Sequence, residues 1–370
     1  MLLGNGGSVM DKRWILIGLH ESPGLGWKRI QNILSQEGWE NALSFSASDW
    51  LERGLDSELA LNMSKQFTKA WLDSRLELHE RKGVQTVTYF DPMYPVLMKE
   101  TARPPWVIYC LGRSELLSTL SVAIVGTRLP TAYGRKVTMM LAEELSARGI
   151  TIVSGLARGI DGACHEATLK AGGDTIAVLG TAIDVAYPKE HTSLYHQLQE
   201  RGLVVSEYPI GTPGHPGLFP QRNRIIAGIS RGTVVVEADT RSGSLITADL
   251  ALEADRDVFA VPGPITSPKS RGTLALLKQG AKIVTAAEDI WEEYGPFLSS
   301  PEELFLEGKT GNELTDEEQH IYHMLEQGIA SFDDLLVRTN WDFGLLHSVL
   351  LSLIMKKTVV QLPGSLYELI

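Results

Sequence analysis

Ser121-Val122-Ala123-Ile124-Val125-Gly126, a helical stretch over 133–148, then Ile150-Thr151-Ile152-Val153-Ser154-Gly155: this succession decides the fold. A short Val/Ile run with little polar alternation, closed by glycine, is the mark of a strand buried on both faces. The pattern recurs outward from there as TIAVLG (175–180), GLVVSEYP (202–209), GTVVVEA (232–238) and DVFAVPG (257–263), with helical stretches at 161–171 and 247–254. Strand–helix alternation predicts an α/β, doubly wound, mostly parallel, Rossmann-like sheet with right-handed crossovers. Ligands of such sheets sit beyond the C-terminal ends of the strands. The glycine-rich strand tips are therefore the place to look for chemistry.

The flanks read differently. At 370 residues the chain has room for two or three domains. Residues 1–90 are predicted to form a helical domain of sterile-alpha-motif or helix-hairpin-helix type, turning at Pro23-Gly24-Leu25-Gly26. That turn has two readings: a link in a packing bundle, or amides that meet a phosphate. Residues 91–295 make the extended Rossmann-like domain, and 296–312 read as a linker. Residues 313–370 show three amphipathic helices and a hairpin, a winged-helix-like pattern. Thr315 with Glu318 forms a capping box, Ser331 opens the second helix, and Asp342 caps a third running to about Lys356. VVQL, Pro363-Gly364 and SLYEL complete the hairpin.

Hydrophobic residues make up 44% of the chain and charged residues 21%, a globular composition that excludes wholesale disorder. Two cysteines, Cys110 and Cys164, make no disulfide framework, and no Cys/His cluster has zinc spacing. Neither a metal nor a cofactor is expected. The opening MLLGNGGSVMDKR lacks an apolar core, and the longest apolar stretch, 345–355, falls short of the ~20 residues a span needs. A cytoplasmic protein without a membrane partner is predicted. The net charge of −11 argues against nucleic acid until its distribution is read. Residues 119–290 hold 17 basic and 17 acidic residues, while 312–370 hold 3 and 9. A local basic groove in the middle is compatible with that balance. The acidic last domain reads as a protein-interaction module, because a groove reader carries several Lys or Arg.

The chain has neither G-x-x-x-x-G-K-[ST] nor a G-x-G-x-x-G after the first strand, so neither a P-loop nor a standard dinucleotide site is expected. The first strand ends instead in Gly126-Thr127-Arg128, close backbone followed by a guanidinium suited to phosphate. The second ends in Gly155-Leu156-Ala157-Arg158-Gly159-Ile160-Asp161-Gly162, which can present amides at a helix N-terminus as an anion site. Arg158 is either a ligand contact or a structural partner of Asp161. Lys189, after the third strand, is either a phosphate partner or a solvated lysine. The densest signal is Phe219-Pro220-Gln221-Arg222-Asn223-Arg224, two arginines around an asparagine with an aromatic before them. Stacking plus backbone charge holds single strands without reading sequence. In the structural alternative, Arg224 pairs with an acid such as Glu237 and only Arg222 faces out. Ser242-Gly243-Ser244 opens a later helix as a second anion cradle. All eight tryptophans lie outside 107–290, which leaves Phe219, Tyr133, Tyr187 or Tyr208 to stack in the core. Cys164 and His165 diverge by about 100° on a helix and make no nucleophile–base pair. Asp184 and Glu237 are a possible acid pair with no evident substrate. No catalytic residue is assigned.

These strings closely resemble the bacterial DNA-processing protein A family, also called Smf. The matching stretches are Tyr94-Pro95-x-x-Met98, Pro104-Pro105, AIVGTR, VSGLARGIDGACHEATL, AVLGTAIDVAYP, SEYP, FPQRNRIIAGIS, EADTRSGSLITA and FAVPG, in the family's order from about 90 to 290. The combination of SGLARGID with FPxRNRIIAG is highly specific. The resemblance implies a protein without enzymatic activity that binds single-stranded DNA non-specifically. It implies a role in natural transformation, guarding incoming strands and loading the RecA recombinase, and it implies a homodimer. By motif position, DNA contacts fall on Gly126, Thr127, Arg128, Lys189, Phe219, Arg222 and Asn223. Arg158, Arg224, Ser242 and Gly243 join them on the reading of the residues alone. In this chain Leu274 stands where the family has Asn, and Leu274 and Leu277 are expected near the self-association face.

Two other classes compete. One is a nucleoside-monophosphate phosphoribohydrolase of the lysine-decarboxylase-like group, with a related core. Its motif carries a catalytic Glu where this chain has Thr or Ala near Thr247, so the reaction lacks its acid/base. The other is a protein-interaction scaffold with a vestigial anion pocket.

Overall fold

The computed structural model describes residues 12–294, 314–326, 328–356, 358–362 and 366–369. The expected linker at 296–312 and the Pro363-Gly364 turn lie outside the described residues. The chain divides into two compact units, up to Glu293 and from Tyr294 onward.

The first unit opens with helices α1 (Lys12–Glu21), α2 (Trp27–Leu34), α3 (Ala47–Glu52), α4 (Ser57–Gln66) and α5 (Lys69–Arg81). Polar caps start three of them: Ser46 bonds Asp49 reciprocally, Asp56 accepts from Leu59 N, and Thr68 accepts from Trp71 N. The turn between α1 and α2 needs Gly24, whose φ is +85°. The apolar sides of these helices share one continuous core with the sheet, in which Ile15, Leu16, Trp50 and Leu72 pack with Val107, Tyr109, Leu198 and Val204.

The sheet has nine strands: β1 (Gln85–Thr88), β2 (Val107–Gly112), β3 (Ser121–Val125), β4 (Thr151–Ser154), β5 (Thr175–Val178), β6 (Leu203–Ser206), β7 (Gly232–Val235), β8 (Asp257–Ala260) and β9 (Lys282–Ile283). Their order is β1-β2-β6-β5-β4-β3-β7-β8-β9. From β6 to β9 all neighbours are parallel, and β1 and β2 add antiparallel pairs at the β6 edge. Each of the six strands expected from sequence is present. β1, β2 and β9 extend the sheet beyond that expectation. After α6 (Val96–Lys99), the covering helices are α7 (Ala132–Ala147), α8 (Ile160–Lys170), α9 (Thr192–Arg201), α10 (Leu218–Ile229), α11 (Gly243–Glu253), α12 (Arg271–Lys278) and α13 (Glu288–Tyr294).

This order places the site. The chain winds from β3 through β4 and β5 to β6, then returns by α10 to lay β7 beside β3, with Val122 opposite both Ile152 and Gly232. Successive connections leave β3 and β7 in opposite directions, so a crevice opens beyond their C-terminal ends.

The second unit has three helices, α14 (Asp316–Leu325), α15 (Phe332–Thr339) and α16 (Phe343–Met355). A three-stranded sheet joins them: β10 (Ala330–Ser331), β12 (Leu366–Leu369) and β11 (Val359–Leu362), in that spatial order. This is a winged-helix arrangement. The caps expected at Thr315, Ser331 and Asp342 are all present. Its core gathers Ile321, Leu335, Leu346, Leu350, Leu353 and Tyr367.

A buried carboxylate fastens the helical layer to the sheet. Glu21 at the end of α1 accepts from Arg75 Nε of α5 at 2.5 Å and from Tyr109 Oη of β2 at 2.9 Å, and His79 Nε2 lies 2.7 Å from it. Next to it His20 Nε2 lies 2.8 Å from Glu207 O, and Arg75 Nη2 donates to Ile210 O at 3.0 Å. The layer thus grips the segment that leads into α10. Burial by itself would raise the Glu21 carboxyl, but the contacts with His79 and Arg75 outweigh it and hold the group below the usual 4.5. A depressed carboxylate stabilises the fold above its unfolded pKa, and that stability is lost as pH falls through the folded value. Glu21→Gln is expected to cost about 3 kcal/mol in urea denaturation at neutral pH. It is also expected to flatten the fall in stability below pH 4.5.

Candidate functional site

A cavity of about 620 Å³ lies at the crevice beyond β3 and β7. Its walls come from the β3 tip (Gly126, Arg128), the β4 tip (Ala157, Asp161), Tyr187, the first turns of α10 (Phe219, Arg222, Asn223) and the start of α11 (Ser242, Gly243). The topology therefore brings together stretches as far apart in the chain as Gly126 and Gly243.

Arg222 forms the floor. Its side chain is buried, at 5% exposure for the residue. Nη1 donates to Gly155 O at 2.6 Å and to Val178 O, and Nε donates to Asn223 Oδ1 at 3.3 Å. The guanidinium thus ties the tip of β4 to the end of β5. A Cβ on Gly155 would lie 2.5 Å from Arg222 Nη2, so this glycine makes room for the arginine. Burial lowers the Arg222 pKa to about 10, with the Asp161 carboxylate pulling the other way. Arg222 remains a cation at neutral pH. The sequence placed this side chain outward against a ligand; in the structure it lies beneath the surface on backbone carbonyls.

The β4 tip is also closed from within. Ile160 N donates to Thr127 O at 3.2 Å and Gly162 N to Ala157 O at 3.0 Å. Asp161 is buried here; desolvation raises its carboxyl, countered by the Arg222 guanidinium and by the amides of Ala157 and Gly155. The anion expected from a ligand at this helix start is supplied by the protein itself. Arg158 does not pair with Asp161. Its Nε donates to Glu190 at 2.6 Å, an exposed pair of little stabilising worth. Leu156 holds a φ of +56°, uncommon for a branched residue, and its carbonyl lies 3.0 Å from His191 Nδ1. Gly159, with φ +80°, passes so close to the β3 tip that a Cβ would lie 2.4 Å from Thr127 O.

At the β3 tip, the Thr127 amide is spent on Glu237 O at 2.8 Å, and Gly126 fits against Ile160. Arg128 is exposed and has no ion pair among the described residues. Lys189 is likewise exposed and without an ion pair among them. Arg128 lines the cavity, and Lys189 directly follows Tyr187 and Pro188, which share a pocket with Arg128. Phe219 and Tyr187, which line the same pocket as Arg128, form a ring pair with centroids 5.0 Å apart, and Tyr187 is 49% exposed. Phe219 rests on Gly180, where a Cβ would approach its ring to 2.6 Å. Sequence named Tyr187 only as one of four aromatics able to stack; its seat against Phe219 is a tertiary fact.

Arg224 takes the other side of α10. Two residues along a helix turn about 200°, so Arg222 and Arg224 face apart. Arg224 Nη2 donates to both oxygens of Glu207 at 2.5 Å, not to Glu237. Glu237 accepts from Thr131 N at 2.8 Å and Thr131 Oγ1 at 2.5 Å, capping the start of α7 beside Gly134, where no Cβ fits. It forms no acid pair with Asp184. Ser242 caps α11 by accepting from Ser244 N, Asn223 Nδ2 donates to Gly243 O at 3.3 Å, and Gly243 faces open space.

Reactive chemistry is not assembled here. Cys164 and His165 are buried apart: Cys164 Sγ donates to Asp161 O, and His165 Nδ1 meets Thr175 Oγ1 at 2.7 Å. Burial lowers His165 to about 3 and raises the Cys164 thiol. Ser244, Thr247 and Ala248 are the buried face of α11, where the phosphoribohydrolase reading requires a carboxylate. Among the described residues no cluster of His, Cys, Asp and Glu is placed to hold a metal ion, and no helix is long and apolar enough to cross a membrane. On α12, Leu276 is buried while Leu274 and Leu277 are half-buried.

The sequence model of the family described as DNA recombination-mediator protein A matches residues 85–295, and that of the DprA winged helix domain matches 307–365. A relative from Synechocystis, named Protein Smf, is 38% identical over 78% of this chain and 66% of its own length, so this chain spans just under two thirds of it. Among solved structures, DNA processing protein A from Streptococcus pneumoniae aligns with a TM-score of 0.68 at 36% identity, covering 76% of this chain and 97% of that one. DNA processing protein A from Helicobacter pylori, solved for its single-stranded DNA binding mode, aligns with a TM-score of 0.52 at 32% identity over 58% and 96% of the two chains.

The floor and the rim separate in a stability measurement. Arg222→Ala leaves two strand-end carbonyls without their donor and is expected to cost roughly 2–3 kcal/mol. Arg128→Ala, on the exposed rim, is expected to stay within about 0.5 kcal/mol of the parent. Urea denaturation of the two variants checks both.

Proposed function

The chain belongs to the DNA recombination-mediator protein A family, and on that premise we propose that it binds single-stranded DNA along the tips of its parallel sheet without reading base sequence. The observation that carries this reading is the open Arg128 guanidinium lining the same pocket as the Phe219–Tyr187 ring pair, of which Tyr187 is exposed, with the exposed Lys189 two residues further along the chain. Cations take phosphates and rings take bases, whatever the base. The H. pylori relative, described by its single-stranded DNA binding mode, supports it.

The residues take distinct roles. Arg128 and Lys189 meet the sugar–phosphate chain, with Gly126 and Thr127 shaping the approach. Phe219 offers its ring to a base. Arg222 contributes a fixed positive floor and holds Asn223, which joins α10 to the Ser242-Gly243 start of α11, a further seat for a phosphate. Arg158, held by Glu190, lies at the margin. Arg224 belongs to the opposite side of α10 and is left out of the contact set. Single strands suit the trough because their bases are free to turn onto a ring, whereas duplex bases are stacked away. Protection of single strands during DNA uptake, delivery of those strands to the RecA recombinase, self-association near Leu274 and Leu277, and a cytoplasmic place of action complete the proposal. The gathered groups bind and position; they do not cleave.

The test is a titration of labelled oligo-dT against duplex of equal length at two salt concentrations. Affinity for the single strand is expected to exceed that for duplex and to fall with salt, by about 0.7 in log–log slope per neutralised phosphate. Arg128→Ala should lower that slope by about 0.7, the share of one phosphate, and weaken all sequences alike. Phe219→Ala should cost about 1–3 kcal/mol of binding. Equal affinity for duplex, or salt-independent binding, would remove the reading.

A further inference from the structure

A second cavity, about 720 Å³, opens on the far side of α10. One wall is the α1–α2 turn with Trp27; the other is the segment from Glu207 to Pro213 with Gln221 and Arg224. Helix α10 is thus a partition. Phe219, Arg222, Asn223 and Ile226, at helical spacing, line the trough, while Gln221 and Arg224 line this groove. The two spaces are separated by one helix, about 10 Å across, and both reach its first turns.

The groove carries the same two chemical elements as the trough. Trp27 and Trp106 stack with centroids 5.4 Å apart and planes 19° from parallel. Their polar atoms are already used: Trp27 Nε1 donates to Pro104 O at 2.6 Å and Trp106 Nε1 to Trp27 O at 3.1 Å. The pair is therefore held in place as a ring platform, with Trp106 buried and Trp27 half-exposed at the edge. Arg103 sets its guanidinium 5.8 Å from the Trp27 ring, is exposed, and has no ion pair among the described residues. The two carboxylates of the groove are neutralised, Glu21 by Arg75 and Glu207 by Arg224. Arg103 therefore leaves the groove with a net positive, open edge. Arg224 Nη1, on the opposite wall, has no hydrogen-bond partner among the described residues.

We propose that a single strand long enough to overrun the trough crosses the first turn of α10 at Pro220 and Gln221, lays a base against Trp27, and places a phosphate at Arg103. This rests on the single-stranded DNA reading of the trough and lengthens its site. The occupant is a polynucleotide because the groove continues the trough across a shared wall and repeats its pairing of ring with free guanidinium. The helical layer then becomes part of the binding surface, and the Glu21 cluster becomes the joint that aligns its two halves.

The experiment is a length series of oligo-dT read by label anisotropy and by tryptophan fluorescence. The trough holds no tryptophan, and of the eight in the chain Trp27, Trp71 and Trp106 line the groove, so a quench that Trp27→Phe removes reports the groove. Short oligomers are expected to bind without quenching, while longer ones gain about tenfold in affinity and quench. Arg103→Glu should abolish the gain and spare the short oligomers. Trp27→Phe should retain the ring contact and lose most of the quench. Arg128→Ala should weaken every length by the same factor. Arg103→Glu binding long oligomers as the parent does, with no fluorescence change, would assign the groove to another ligand and overturn the proposal. Absence of binding at every length would instead overturn the trough reading on which it stands.

Discussion

The buried guanidinium of Arg222 holds the strand tips together. It reaches from α10 across the sheet and binds the carbonyls of Gly155 and Val178, with Asp161 supplying the nearby negative charge. A buried cation is tolerated only where its donors are used and a counter-charge is close. The surroundings meet both needs: Gly155 gives up its Cβ, and the 155–162 loop curls around Asp161. The crevice consequently has a floor whose guanidinium is held in place by backbone carbonyls and a counter-charge. Charge fixed in place raises the local potential without the ordering cost of a flexible side chain.

That constraint divides the labour among the arginines. Arg222 organises, Arg224 is consumed by Glu207, Arg158 is tied to Glu190, and Arg128 is left open on the rim. The roles follow from direction along α10 and from which acids the loops bring near, not from side-chain type. Within the neutral balance of residues 119–290, the buried acids Asp161 and Glu207 are matched by Arg222 and Arg224, so Arg128 is the arginine left open at the cavity.

The family and the strand pattern were legible in the chain itself. Strands such as Ser121–Val125 and Gly232–Val235 are buried on both faces, so every position had to be apolar or small, and the runs stand out. The caps at Thr315, Ser331 and Asp342 were equally readable, since a cap and its amide lie within three residues. Edge strands were not. Gln85–Thr88 is short and polar at its start, and Lys282–Ile283 is a two-residue extension of an existing edge.

Local sequence determined where the strands run, where the helices begin, and which glycine-rich tips gather at one end of the sheet, because burial and capping act over a few neighbouring residues. The tertiary structure alone decided which charges remain available there. Arg224 meets Glu207, Arg158 meets Glu190 and Glu237 caps Thr131 because strand order and helix phase carry those groups together across distances that no local pattern encodes.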